Sequence, residues 1–289
     1  MLTRLGLALL WLLHFLPLAV LAPIGRGVGV ILYALGRERR NVALTNLRMC
    51  FPEWTEEKRR SLARRHVKAV ARSFLERGIL WWGSKERIER VVRVEGREHL
   101  DAVRGQPVIL LAPHFVGLDM GGTRLSTEWA GCSIYSRQKD PVVDRLLLHG
   151  RTRFIPQKLF SRQDGIRPII RAIREGLLFY YLPDQDFGPR ESIFVPFFGV
   201  PAATITGLSR VARLAGAQVV PVITRQLPAG QGYLATIYPA WRDFPTGDDE
   251  RDARRMNEFI EQRVLEMPEQ YWWVHKRFKT RPPGEPPPY

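Results

Sequence analysis

From Leu5 to Gly25 the chain reads LGLALLWLLHFLPLAVLAPIG, without a single Lys, Arg, Asp or Glu. As a helix rising about 1.5 Å per residue, this stretch reaches across roughly 30 Å of hydrocarbon. Pro17 interrupts it and His14 lies within it, so a kinked span and a shallow interfacial anchor both satisfy the pattern. Ala19-Val-Leu-Ala22 mimics a signal cleavage site. A second apolar stretch, Val28 to Leu35, and the basic cluster Arg37, Arg39, Arg40 follow at once, which argues for an uncleaved anchor. The positive residues behind it place the downstream part on the cytoplasmic side. Gly25, Gly27 and Gly29 have half the spacing of a dinucleotide fingerprint but follow an apolar helix instead of a strand, so they read as a flexible exit. Residues 1–36 are thus expected to form an anchor with its exit segment, and residues 37–289 a single domain.

The remaining pattern alternates between two periods. Val67, Val70, Ala71, Phe74 and Leu75 recur at helical spacing within Arg59 to Gly78, with Arg and Lys on the other face. Thr55 offers an N-cap before them, with Glu56 and Glu57 in the first turn. Val108 to Ala112 is short and wholly apolar, which suits a strand buried on both faces. Ile166, Ile169, Ile170, Ile173 and Leu177 mark another amphipathic helix, followed by a buried strand over Leu177 to Leu182. Ile193 to Phe198 is strand-like, Thr204 to Ala215 helical, and Gln218 to Thr224 a strand. Tyr233 to Tyr238 alternates like an edge or meander strand, and Arg251 to Glu266 closes as a helix. The predicted class is α/β, with a central, mostly parallel sheet flanked by helices behind an N-terminal membrane-anchor helix.

Composition adds the sign of the partners. Lys and Arg number 44 against 29 Asp and Glu, a formal charge of +15. An excess of that size calls for an anionic partner, and charge alone admits nucleic acid, anionic lipid or an acidic protein. No helix-turn-helix, zinc-finger or RNP-type signature supports nucleic acid. Two cysteines, Cys50 and Cys132, have no metal-type spacing and suggest no disulfide framework, consistent with a reducing compartment.

The chain carries no H-E-x-x-H, C-x-x-C, P-loop or G-x-S-x-G, so zinc hydrolysis, nucleotide hydrolysis and the serine-hydrolase elbow lack their parts. Of the six histidines, His14, His66, His99 and His149 suit structural or solvated roles, and His275 lies in a basic run suited to phosphate contact or solvation. His114 differs. It follows Val108–Ala112 and Pro113, at the carboxyl end of an expected parallel strand, the edge where open α/β sheets bind ligands. Asp119 comes five residues later. On one regular helix that offset turns about 140° away. A bend at Gly117 would let the carboxylate reach one imidazole nitrogen and leave the other free to take a proton.

HFVGLD at 114–119 resembles the H-x-x-x-x-D signature of glycerolipid-type acyltransferases. With Asn46-Leu47, Phe51-Pro52, PDQDFGPRESIFVPFFG at 183–199 and PEQYWWVHKRFKTRP at 268–282, the chain resembles the lipid A biosynthesis late acyltransferases, the lauroyl/myristoyl enzymes of lipopolysaccharide assembly. The likeness runs from near residue 40 to the tail. It implies acyl transfer from an acyl carrier protein thioester to a hydroxyl on a chain of an anionic lipid A precursor of the Kdo-lipid IVA type. No metal or cofactor is implied beyond that co-substrate, and no nucleic acid. The expected setting is the cytoplasmic side of a bacterial inner membrane. His114 would be the general base, Asp119 its orienting carboxylate, Arg151 a phosphate clamp or oxyanion donor, and Asp186, or else Asp184, a substrate-binding carboxylate, unless both hold the backbone of their own loop. Arg137 is displaced by one position from the family's Y-R-P and has no assigned role. A related acyltransferase acting on a phospholipid, ornithine lipid or other glycolipid, with acyl-ACP or acyl-CoA as donor, carries the same dyad. The aromatics Phe194, Phe197, Phe198, Trp272 and Trp273 are read as core by default and as acyl-tunnel lining in the alternative.

Overall fold

The computed structural model describes residues 2–289. Two apolar helices lead, α1 (Leu2–Leu13) and α2 (Leu18–Leu35), then α3 (Arg37–Cys50) and the long α4 (Glu56–Trp82). After α5 (Lys85–Val91) the chain passes through β1 (Val92–Glu95), α6 (Arg97–Asp101), β2 (Val108–Leu111), α7 (Leu118–Leu125), β3 (Gly131–Tyr135) and α8 (Pro141–Thr152). It continues with β4 (Gln157–Ser161), α9 (Arg167–Arg174), β5 (Leu178–Tyr181), β6 (Ser192–Phe197), β7 (Val200–Ile205) and α10 (Gly207–Ala215). β8 (Gln218–Gln226), β9 (Tyr233–Ile237) and α11 (Asp249–Glu266) complete it.

Seven strands make one sheet in the order β1-β9-β8-β2-β5-β3-β4, and every pairing is parallel except β8 with β9. The α/β class with a mostly parallel sheet is therefore correct. β2 lies between β8 and β5 and is buried along its whole length, as its unbroken apolar run requires. Ile109 and Leu111 point into the core shared with α3, α9, α10 and α11, whereas Val108 and Leu110 face α6 and α7. The meander strand β9 is interior, with β1 covering the edge beside it. β6 and β7 form a separate antiparallel hairpin. That hairpin absorbs Thr204 and Ile205, so the helix expected from Thr204 starts at Gly207.

The apolar N-terminus is divided differently from its charge pattern. The uncharged stretch Leu5–Gly25 is not one helix: α1 ends at Leu13, and α2 begins directly after Pro17. Among the described residues, the helix long and apolar enough to cross a membrane is Leu18–Leu35. Gly25 and Gly29 are not a flexible exit either. They sit inside α2 where it crosses α4, and a Cβ on either would lie 2.6 Å from Arg72 Cα or 2.5 Å from Lys68 Cα. Only glycine permits so close a crossing. The opposite side of α2 exposes Val20, Ile24, Ile31 and Leu35, and α1 exposes Leu5, Leu9 and Leu12.

α4 is fixed to the sheet by polar groups that its basic composition conceals. Thr55 caps it, accepting from Lys58 N. Arg72 is buried, not on a solvated face. Its Nε donates to Glu76 Oε1 at 2.7 Å and its Nη1 to the Leu227 carbonyl at 2.6 Å, while Tyr233 donates to the other Glu76 oxygen. His66 is buried too, with Nδ1 2.9 Å from the Glu269 carbonyl.

Candidate active site

β2 and β5 are parallel neighbours in register, with Leu111 opposite Tyr181. Each strand runs on through one residue and a proline, Ala112-Pro113 and Leu182-Pro183, into a polar residue. Three steps past the last paired residues, His114 therefore meets Asp184. The His114 backbone N–H donates to Asp184 Oδ2 at 2.9 Å, and His114 Nδ1 lies 2.7 Å from Oδ1. Burial pushes the Asp184 carboxyl up, but the charge of His114 and both hydrogen bonds from it bring it net below the usual carboxylate range. An ionised Asp184 makes Nδ1 the donor and leaves Nε2 as the acceptor. Asp184 is 1% exposed, whereas His114 borders a cleft of about 750 Å³.

Asp119, expected to orient the histidine, has other partners. It lies in the first turn of α7, which rests on β8 through Gly117, where a Cβ would come 2.4 Å from the Thr224 carbonyl. Asp119 Oδ2 accepts from Arg77 Nη2 at 2.7 Å, and Oδ1 lies 3.7 Å from Arg151 Nη2. Burial opposes its ionisation, but Arg77 and Arg151, helped by His114, hold its carboxyl below the ordinary range. The carboxylate hydrogen-bonded to the histidine is Asp184, and Asp119 instead gathers two guanidinium groups beside the same cleft.

Arg151 on α8 lines that cleft with His114, Tyr135, Tyr180, Arg190 and Arg210. Arg137 points into solvent, 87% exposed and 4.0 Å from Asp144. A narrower, largely apolar cavity of about 120 Å³ reaches Arg77, Asp119 and Arg151 at one end, and shares Ile134, Leu147, Tyr180 and Leu182 with the cleft. Among the described residues, no cluster of three or more His, Cys, Asp or Glu side chains could hold a metal ion.

Asp186 does not face the cleft as a free ligand. Its Oδ1 accepts from Gly188 N at 2.9 Å and Thr280 Oγ1 at 2.9 Å, its Oδ2 from Thr280 N at 2.8 Å, and its own N–H donates to His275 Nε2 at 3.2 Å. It fastens the 184–188 loop to the C-terminal segment. His275 is correspondingly neutral, its pKa lowered to about 4 by burial and by nearby His114. Arg277 is likewise inward, donating to the Ala203 carbonyl and Thr204 Oγ1. Within the basic run at 275–281, His275 and Arg277 thus act as fastenings, while Lys279 stays exposed.

The same segment braces His114. Trp272 N donates to the His114 carbonyl at 2.9 Å, Val116 N to the Gln270 carbonyl at 2.8 Å, and Phe115 and Tyr271 form an isolated antiparallel bridge. Asn46 Nδ2 donates to the carbonyls of Trp273 and His275, both at 2.7 Å. The separated motifs Asn46-Leu47, 114–119, 183–199 and 268–282 therefore meet around one histidine. Phe197 and Trp273 are core residues, and none of the five aromatics considered for an acyl tunnel lines either cavity.

The family model for bacterial lipid A biosynthesis acyltransferases matches residues 1–280. The chain belongs to that family. This acyltransferase is 36% identical over 288 residues to the lipid A biosynthesis lauroyltransferase of Escherichia coli K12, covering 99% of this chain and 94% of that protein. The lipid A biosynthesis palmitoleoyltransferase of the same organism is 32% identical over 287 residues, 98% of this chain and 93% of its own. The myristoyltransferase is 35% identical over 275 residues, 93% and 83% respectively. A solved 1-acyl-sn-glycerophosphate acyltransferase from Thermotoga maritima aligns at 18% identity and a TM-score of 0.36, over 80% of this chain and 97% of its own. The family establishes acyl transfer in lipid A biosynthesis as the activity.

Proposed function

We propose that this acyltransferase moves a fatty acyl chain from an acyl carrier protein thioester to the 3-hydroxyl of an existing acyl chain on a lipid A precursor of the Kdo-lipid IVA type. His114 Nε2 takes the hydroxyl proton, and the resulting alkoxide attacks the thioester carbonyl. The tetrahedral intermediate collapses with loss of the thiolate, which receives the proton from the imidazolium. Asp184 holds the ring in the required tautomer and offsets the charge it gains in passing. Arg151 faces the same cleft and supplies positive charge to the developing oxyanion, with Asp119 and Arg77 fixing its position. Two substrates bound side by side with an activated acyl group require no covalent enzyme intermediate.

The observation that carries this reading is the pairing of His114 with a buried, ionised Asp184 at the carboxyl edge of the sheet, open to a cleft next to an apolar cavity. The exposed apolar sides of α1 and α2, with Arg37 and Arg39 exposed behind them, suit attachment to an anionic membrane that keeps the domain on the cytoplasmic face. The test is the mass of a tetra-acylated lipid A precursor incubated with purified enzyme and acyl carrier protein thioesters. A gain of one acyl group that His114→Ala abolishes supports the reading. Transfer only to phospholipid or ornithine lipid, or only from acyl-CoA, would replace the substrate assignment.

A further inference from the structure

The apolar cavity beside the dyad runs along the sheet instead of across it. At the cleft it is bounded by Ile134 and Leu182, near the carboxyl ends of β3 and β5; at the other end it is bounded by Gly131, Leu178 and Gln157, the first residues of β3, β5 and β4. From Tyr135 back to Gly131 is four residues, about 13 Å at roughly 3.3 Å per residue. At the far end two hydrogen bonds span the cavity wall. Gln157 Nε2 donates to the Trp129 carbonyl at 3.0 Å, and its Oε1 stands 2.7 Å from where a Gly131 Cβ would be. Leu178 N donates to the Ala130 carbonyl at 3.1 Å. The cavity is therefore a largely apolar recess with Asp119 and Arg151 towards the cleft and a hydrogen-bonded amide at its far end.

We propose that the Gln157–Trp129 plug is the stop that sets the longest acyl chain this enzyme accepts from its donor, with Ser133 a mid-depth gauge. The inference rests on the acyl-transfer reading above. Strand alternation puts Ser133 on the same side of β3 as Gly131 and Tyr135, halfway along the recess, and Ser133 lines it. The ω-methyl of a chain whose thioester lies at His114 ends near Gln157. One methylene too many must displace a hydrogen-bonded amide; one too few leaves apolar surface uncovered.

Two substitutions move the stop in opposite directions, which a common folding defect cannot do. Ser133→Leu blocks the recess at half depth, and Gln157→Ala removes the plug. In transfer reactions with donors of graded saturated chain length, Ser133→Leu should shift the preferred length downward. Gln157→Ala should shift it upward, each changing the short-to-long rate ratio by roughly tenfold or more. A parallel binding series with free saturated fatty acids reads the depth without transfer and should show the same opposed shifts. Equal scaling of all donor lengths in both variants, or a wild-type protein that binds fatty acids without length discrimination, overturns the stop. So does a change in the acceptor's chain preference instead of the donor's. Length-dependent binding without transfer from these donors by the wild type would leave the stop standing and remove the donor and acceptor proposed above.

Discussion

His114 is held twice by one carboxylate: its backbone N–H by Asp184 Oδ2 at 2.9 Å and its Nδ1 by Oδ1 at 2.7 Å. A single buried group thus positions both the loop and the ring. Asp119, five residues along in the signature, touches neither.

The two carboxylates should fail in different ways. His114→Ala should lower kcat by about 10²- to 10⁴-fold, and Asp184→Asn should do likewise while altering the pH–rate profile, because the ring loses the partner that fixes its tautomer. Asp119→Asn should lower activity through Arg151 and shift the profile's apparent pKa less than Asp184→Asn does. The decisive measurement is kcat against pH for both variants. A shifted profile in Asp119→Asn with an unshifted one in Asp184→Asn would return the orienting role to Asp119.

Asp186 is a fastening residue. Asp186→Asn replaces a carboxylate accepting three hydrogen bonds, from Gly188 and Thr280, and should cost about 1–3 kcal/mol. Activity should fall in proportion to the folded fraction, followed by thermal unfolding in detergent. A variant as stable as wild type with a raised KM for the lipid acceptor would make Asp186 a substrate ligand after all.

Stability should depend on pH through two neutral histidines. Burial lowers His66 to about 4, and His275 likewise sits at about 4. Both titrate near 6.5 when unfolded. Between those values the unfolded chain binds protons that the folded chain refuses, so stability is full above pH 6.5 and falls as pH drops towards 4. For His66 the loss by pH 5 amounts to about 2 kcal/mol. Denaturant midpoints at pH 7.5 and 5 should show it, and His66→Gln, though less stable at pH 7.5, should show a shallower fall. A slope unchanged by that substitution contradicts the assignment.

Membrane attachment should depend on the outer sides of the leading helices. Leu9, Leu12, Ile24 and Ile31 are all exposed. Replacing these four with Glu removes apolar area without touching the α2–α4 crossing, so the protein should stay folded and lose flotation with anionic vesicles. Filling the crossing with Gly25→Leu should instead lower the melting temperature, since the new side chain meets Arg72 backbone. Undiminished flotation of the four-Glu variant would assign attachment to the basic surface alone.

Much of the site was legible in the sequence, and the missing part had a visible cue. The wholly apolar run 108–112 marks β2 as interior and places His114 at the sheet's carboxyl edge, because a strand buried on both faces has no polar position to spare. Asp184 follows an apolar run and a proline in the same way, and two such strands side by side must juxtapose their next residues. Periodicity does not say which strands are neighbours, so spacing alone favours the nearer Asp119 as the histidine's partner. Arg77 and Arg72 were hidden for a different reason. On a helix as basic as α4, an inward arginine has the same spacing as an outward one, and only Glu76 and Asp119 distinguish them. The glycines of α2 are ambiguous in sequence because a backbone that approaches another helix looks, in one dimension, like a backbone that bends.

The bridge between Phe115 and Tyr271 has a consequence for the order of events at the ribosome. A nascent chain that has emerged through Asp184 already carries both halves of the dyad, yet the loop that presents His114 is braced by residues 270–272, which are made later. The site is therefore completed only after that brace has been made. A product cut short before Tyr271 keeps its histidine and its carboxylate and lacks the brace that holds the histidine's loop.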